Sequence, residues 1–281
     1  MKNILLVADA GGEIGWGHAM RTLAVAEALE GRASVRWLTS TPKEIRGLNP
    51  PCPVDGRMEK DELSKGAQDA VLVDRRDFQI LSGGKPNPLD RRVWYMIDHG
   101  TGLPGTQRIC PHFGAESRDW GPGMVATGPR WMPLRGEIRS PPGPQYNWNA
   151  YNPKGKVLTY RAGTTEPNAV ILSDNPTRRW WTQGPYRYAI APPSTIAYEC
   201  MALGIPVYVV SLEGYPTEIG DAMVQAGVAM WYADSQEYGG LDGVFKAKGG
   251  DMTYRQIMAK RAREHVDGRG AERVANLLLG G

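Results

Sequence analysis

Cysteine is scarce in this chain, with three in 281 residues, at positions 52, 110 and 200. An odd number without close spacing excludes a disulfide framework and a cysteine-based zinc site, and it points to a reducing cytoplasm. Long apolar runs are missing too. The first one, Ile4-Leu5-Leu6-Val7, is too short for a signal peptide or a membrane span, and nothing later is long enough to span a membrane either. A soluble, cytoplasmic protein is therefore expected. The net charge of +3 is too small to mark a nucleic-acid binder by itself. No internal repeat, low-complexity tract or His/Cys/Asp cluster of metal-ligand spacing stands out. Glycine (35), proline (22) and tryptophan (9) are abundant instead. The first two imply many turns and shaped loops rather than helical bundles.

Short apolar runs that end in turn residues read as buried parallel strands at 4–7, 35–39, 70–74 and 93–98. A helix is expected from His18 to Leu29, closed by Gly31. The Pro/Gly/Asn-rich stretch after Gly136 looks like a linker. Beyond it, strands are expected at 157–160, 188–191 and 207–210, with helices at 194–203 and around 219–225. The tail from Asp251 to Leu279 reads as helical, broken near Gly268 and Gly270. Strands alternating with crossovers predict an α/β protein of two Rossmann-like domains. The predicted bounds are 1–140, a linker at 141–155, and 156–281.

The loop from Asp9 to Gly17 lies where the first strand hands over to the first helix, and ligands of open α/β sheets bind beyond the carboxyl ends of their strands. Gly15-Trp16-Gly17-His18 is neither the dinucleotide fingerprint nor a P-loop. Gly15 and Gly17 allow the backbone to come close to a ligand, and His18, at the helix start, is placed to act as a general base. The same pattern also describes a plain glycine turn followed by an exposed histidine.

The run Ile14-Gly15-Trp16-Gly17-His18-Ala19-Met20-Arg21-Thr22-Leu23-Ala24 resembles the opening of the UDP-sugar hydrolases of the pseudaminic acid pathway. More loosely it resembles the lipid II N-acetylglucosaminyltransferases. The likeness continues through Val71-Leu72-Val73-Asp74, Met96-Ile97-Asp98, Gly128-Pro129-Arg130, Ser194-Thr195-Ile196-Ala197-Tyr198-Glu199 and Asp267-Gly268-Arg269-Gly270. It implies a GT-B-like fold, two Rossmann-like domains facing across a cleft. It also implies His18 as catalytic base and a nucleotide sugar, with UDP as the nucleotide, as substrate. The donor contacts it implies are Gly15, Gly17, Gly163, Thr164, Ser194, Thr195 and Glu199. Ser194 and Thr195 would open a helix toward a diphosphate, and Glu199, one turn on, would accept the ribose hydroxyls. No metal or other cofactor is implied.

Departures from the family pattern open other readings. Pro192-Pro193 stand where glycines are usual, one glycine remains in the 160–165 loop, and about 30 residues separate Thr159 from Ala189. The second domain thus reads as shortened, by one crossover. Asp74, Arg75, Arg76, Asp98, His99, Arg179 and Trp180 are the candidates for the acceptor side. Arginines interleaved with aromatics can hold phosphates and stack on bases, so a hydroxymethylated pyrimidine in DNA is one candidate acceptor. Three functions follow. An inverting glycosyltransferase comes first, then a UDP-sugar hydrolase using water, then a non-catalytic nucleotide-sugar binder.

Overall fold

The computed structural model describes residues 1–11, 15–56, 68–74, 93–98, 107–120, 123, 125–139, 156–160, 169–172, 180, 186–212, 215–232 and 251–280. The chain divides into two compact units, Met1–Gly136 with Arg269–Gly281, and Glu137–Gly268. The linker predicted at 141–155 lies outside the described residues. The predicted second domain, 156–281, needs correction at its end, because the last thirteen residues belong to the first unit.

The first unit is built on a seven-stranded, all-parallel sheet ordered β3-β2-β1-β4-β5-β6-β7. Its strands are β1 (Lys2–Ala8), β2 (Ala33–Leu38), β3 (Val54–Asp55), β4 (Ala70–Asp74), β5 (Val93–Met96), β6 (Gln107–Cys110) and β7 (Val125–Thr127). Strand β1 is covered on both faces, as its unbroken apolar run requires. Ile4, Leu6 and Ala8 enter one core with Trp37 and Leu72, and Leu5 and Val7 enter the other with Leu38, Val71 and Val73. The sheet grows outward in one direction from β1 to β3 and in the other from β4 to β7. The order therefore reverses between β1 and β4, the kind of crevice in which open α/β sheets bind ligands.

Helix α1 (Gly17–Leu29) follows β1, and α2 (Pro42–Gly47) follows β2. The expected apolar face of α1 is there, yet the helix is buried from His18 to Ala26 on every side. The reason lies far along the chain. The terminal helix packs against α1 and puts Val274, Ala275 and Leu278 into the same core as Met20, Leu23 and Leu29. Each aliphatic side chain of Val or Leu size buried there contributes roughly 1.5–3 kcal/mol. Arg273 Nη1 adds a hydrogen bond to the Arg130 carbonyl at 2.8 Å, and Lys2 Nζ donates to the Leu279 carbonyl at 2.8 Å.

The second unit has a five-stranded parallel sheet ordered β12-β11-β10-β8-β9. These are β8 (Lys156–Tyr160), β9 (Ala169–Leu172), β10 (Tyr186–Ala191), β11 (Val207–Val209) and β12 (Ala229–Trp231). Strand β9 is not among the predicted strands. It sits at the sheet edge beside β8, within the short interval between Thr159 and Ala189. The helices are α3 (Gly136–Arg139), α4 (Thr195–Ala202), α5 (Thr217–Gln225) and α6 (Asp251–His265), and the terminal helix of the first unit is α7 (Gly270–Leu278).

Gly270 explains why the tail can dock so closely. A Cβ there would overlap the backbone carbonyl of Met132, and a backbone atom cannot swing aside as a side chain can. Gly270→Val is expected to destabilise the first unit by about 1–3 kcal/mol or more through overpacking. Chemical denaturation checks this, and a midpoint equal to wild type would refute the close contact.

The thiols agree with the lack of a disulfide framework. Burial pushes Cys52 and Cys110 up to about 11, helped at Cys52 by Asp55, and burial together with Glu199 raises Cys200 well above its ordinary value. All three stay protonated and poorly nucleophilic at neutral pH. Among the described residues, no helix is long and apolar enough to cross a membrane.

Candidate active site

Three parallel strands side by side deliver polar groups at their carboxyl ends. Asp74 is the last residue of β4, Asp98 stands two residues beyond β5, and His112 two beyond β6. His18 comes from the start of α1, after β1, the neighbour of β4 on the other side. The glycine loop makes this approach possible. Gly11 and Gly15 both take positive φ (84° and 79°), and the Gly11 N–H donates to the Gly15 carbonyl at 3.1 Å, pinching the loop before α1 begins. At Gly15 a side chain would meet open space, so the backbone angle alone is what calls for glycine.

His18 is buried, 5% exposed, rather than open to solvent. Its Nδ1 lies 2.6 Å from Asp74 Oδ1, and its Nε2 lies 3.5 Å from Asp98 Oδ2. Arg21, one helical turn after His18, enters the same group. It donates from Nε to Asp74 Oδ2 at 3.0 Å, from Nη2 to Asp74 Oδ1 at 2.7 Å, and from Nη1 to Asp98 Oδ1. His112 Nε2 also lies 3.1 Å from Asp98 Oδ1. A buried network of this kind is stable only when its charges are paired and hydrogen-bonded, and here they are.

The electrostatics follow from these neighbours. Burial alone would raise the Asp98 carboxyl, but Arg21, with His112 and His18, outweighs it and holds Asp98 well below the usual carboxylate range. Burial likewise opposes the charge on Arg21, and the two aspartates more than offset it, so its pKa is raised. For His112 burial wins over the attraction of Asp98, and its pKa is lowered, with Arg21 and Arg118 adding to the effect. His112 is thus the neutral member that donates to Asp98.

Stability should respond to acid accordingly. As pH falls through the ordinary histidine value of about 6.5, the unfolded chain takes up a proton at residue 112 that the folded chain refuses, so stability drops. His112→Gln is expected to flatten this stretch of the stability–pH curve. Denaturation midpoints across the acid-to-neutral range test it, and equal slopes in the two proteins would sink the assignment. Asp98 adds a further loss below the ordinary carboxylate range, because its depressed pKa stabilises the fold only while it is ionised.

Asp74 and Asp98 were both expected on the acceptor side, and the structure divides their roles. Asp74 is completely buried, with its carboxylate held against His18 and Arg21. Asp98 keeps 23% of its side chain exposed beside His18 Nε2. Arg75, Arg76, His99, Arg179, Gly163 and Thr164 lie outside the described residues. Gly17 is the first residue of α1. Sequence reasoning missed Arg21 and passed over His112. The spacing of Arg21 was the available signal, a charged residue one turn from His18 inside an otherwise apolar helix. Among the described residues no group of three or more His, Cys, Asp or Glu is placed to hold a metal ion. Between Asp74 and Asp98 the guanidinium of Arg21 is itself the cation.

The second unit holds the expected donor segment. Ser194 precedes α4 in extended conformation, and Thr195 is the first helical residue. Among the described residues, Ser194 Oγ has no hydrogen-bond partner although it is buried. Glu199 is 3% exposed, and its Oε2 accepts a hydrogen bond from Trp180 Nε1 at 3.1 Å. Trp180, one of the acceptor-side candidates, is 2% exposed and stands beside Glu199. Its indole satisfies a buried carboxylate, which a solvent-facing stacking role would not allow. Arg187 lies over the Tyr188 ring at 4.9 Å.

No protein-family model matches the sequence, and no curated protein matches it. Solved structures do match in fold. MurG of Acinetobacter baumannii aligns over 100% of both chains at 16% identity with a TM-score of 0.65. HepE of Anabaena, in complex with UDP and glucose, aligns over 100% of both at 12% identity and 0.57. The UDP-GlcNAc 2-epimerase of Neisseria meningitidis, bound to UDP-GlcNAc, aligns over 99% of this chain and 100% of its own at 12% and 0.56. The fold is GT-B. At these identities the likeness establishes the GT-B fold alone, and that fold carries transfer and epimerisation alike, so function has to be argued from the site.

Proposed function

We propose that the chain is a GT-B glycosyltransferase that takes a sugar from a nucleotide sugar, with UDP as the nucleotide, and transfers it to a hydroxyl acceptor. The observation that carries this reading is His18 at the switch point of the sheet, with its Nδ1 on a buried aspartate. The short Nδ1–Oδ1 distance puts a proton on Nδ1, since two acceptors would repel at 2.6 Å. Nε2 is then the basic nitrogen. The acceptor oxygen attacks the anomeric carbon while the bond from that carbon to the diphosphate oxygen breaks. The nucleoside diphosphate leaves with the electron pair, the acceptor proton moves to Nε2, and the configuration inverts. Asp74 stabilises the imidazolium that forms.

Three structural neighbours, by their descriptions, hold UDP and glucose, UDP-GlcNAc or thymidine diphosphate. That supports a nucleotide sugar here too. In the second unit, Ser194, Thr195 and the first N–H groups of α4 would meet the diphosphate, and Glu199 the ribose. The step needs no metal or cofactor.

A hydrolase is the second reading, and one distance favours it. Nε2 of His18 and Oδ2 of Asp98, 3.5 Å apart, are two acceptors side by side, and water brings two donors. The test is to incubate the protein with a panel of UDP-sugars, with and without hydroxyl acceptors, hydroxymethylated DNA among them. UDP release that depends on an acceptor supports transfer, and acceptor-independent free sugar supports hydrolysis. Nucleotide binding without either product would leave a binding protein. Glu199→Ala is expected to weaken UDP binding about tenfold or more, measured by calorimetry, and unchanged affinity would remove Glu199 from the donor site.

A further inference from the structure

We propose that Arg21 is a positioning residue that decides which nitrogen of His18 is the base. The inference rests on the reading of His18 as general base. Asp74 Oδ1 lies 2.6 Å from His18 Nδ1, whose proton it takes on that reading, and accepts from Arg21 Nη2, which itself lies 3.0 Å from Nδ1, while Asp74 Oδ2 accepts from Arg21 Nε. The guanidinium therefore grips the carboxylate at both oxygens and aims one of them at Nδ1. Its third nitrogen, Nη1, ties down Asp98 on the opposite side of the imidazole.

Without that fork the two carboxylates would compete for His18. Asp74 faces Nδ1 from the end of β4, and Asp98 faces Nε2 from beyond β5. With the proton on Nε2, the ring would donate to Asp98 and lose its basic nitrogen. Arg21 works against this by fixing Asp74 Oδ1 at Nδ1 and by holding Asp98 through Oδ1, which leaves Nε2 and Asp98 Oδ2 3.5 Å apart. His112, from beyond β6, adds a second donor to Asp98 Oδ1 and works in the same direction. Lysine could supply the charge at position 21 but has no planar fork to bridge two carboxylates.

The test uses nitrogen-15 imidazole spectra of the full chain, whose four histidines keep the signals few. The His18 signals are assigned by their loss in His18→Gln. In wild type the neutral His18 ring is expected to carry its proton on Nδ1. Arg21→Lys is expected to show a mixture of tautomers at His18, with His112 signals preserved as evidence of folding. Should Arg21→Lys fail to fold, Arg21→Gln, whose planar amide can still donate to one carboxylate, carries the same measurement. Turnover of Arg21→Lys should fall about tenfold or more in kcat with little change in KM for the nucleotide sugar. A wild-type His18 protonated only at Nε2, or an unchanged tautomer in the variant, overturns the proposal. A wild-type protein that turns over no nucleotide sugar would strike the glycosyl-transfer reading instead, and the tautomer spectra would still decide the role of Arg21.

Discussion

His18→Ala is expected to lower turnover by roughly 10²- to 10⁴-fold while leaving UDP affinity within about twofold of wild type. On the proposed mechanism Nε2 is the proton acceptor and alanine removes it, while Ser194, Thr195 and Glu199, the proposed donor contacts, belong to the second unit. Asp74→Asn should cost nearly as much, up to about 10⁴-fold, because an amide can present its N–H to Nδ1 and favour the wrong tautomer. The two losses should not add, since both remove the same base. Product formation from the most active UDP-sugar, followed in the single and double variants, provides the check. Full turnover in His18→Ala, or additive losses in the double variant, would defeat the mechanism.

Arg21→Met should have the largest effect on stability. Arg21 is 3% exposed and is the cation between Asp74, which is fully buried, and Asp98. Methionine fills similar space but leaves the Asp74 carboxylate buried with only His18 beside it. Removing one member of a buried ion pair costs about 3–5 kcal/mol, because the remaining charge keeps its desolvation penalty. Set against a total stability of roughly 5–15 kcal/mol, that is a severe loss. Amide exchange in β1 and β4, the strands that carry this corner of the sheet, reports the first unit specifically. Protection close to wild type in Arg21→Met would show that the network is not stabilising. Replacing Asp74 by Leu in the same protein should recover part of the loss, as an apolar pair often serves as well as a buried ionic one.

The sheet and the site differ in how far they could be read from the chain. Strands β1, β4 and β5 were legible because each is buried on both faces and so reads as an apolar run, whereas β2 alternates buried Val35 and Trp37 with exposed Ser34 and Arg36. Strands β3, β6, β7, β9 and β12 were not. Val54–Asp55 has two residues, and Gln107–Cys110 opens on Gln and Arg, so neither carries a pattern long enough to tell from a loop. The break in the terminal helices near Gly268 and Gly270 was visible from its glycines, yet the unit to which α7 belongs was not. Periodicity gives an apolar face and says nothing about what covers it. Trp180 shows the same limit, since an indole beside arginines looks like a stacking surface until its N–H is found on Glu199.

The sequence alone determined the α/β class, the glycine-rich handover from β1 to α1, and His18 and Glu199 as the residues to examine. Those features are local, because a backbone angle, a helix start or one helical turn is encoded within a few neighbouring residues. Tertiary structure alone decided that His18 has a partner. Asp74 is 56 residues away in sequence, Asp98 is 80 and His112 is 94, and only the parallel order β1-β4-β5-β6 brings their strand ends together. The switch in strand order sets the site beside β1, where the Arg21 guanidinium bonds both Asp74 and Asp98.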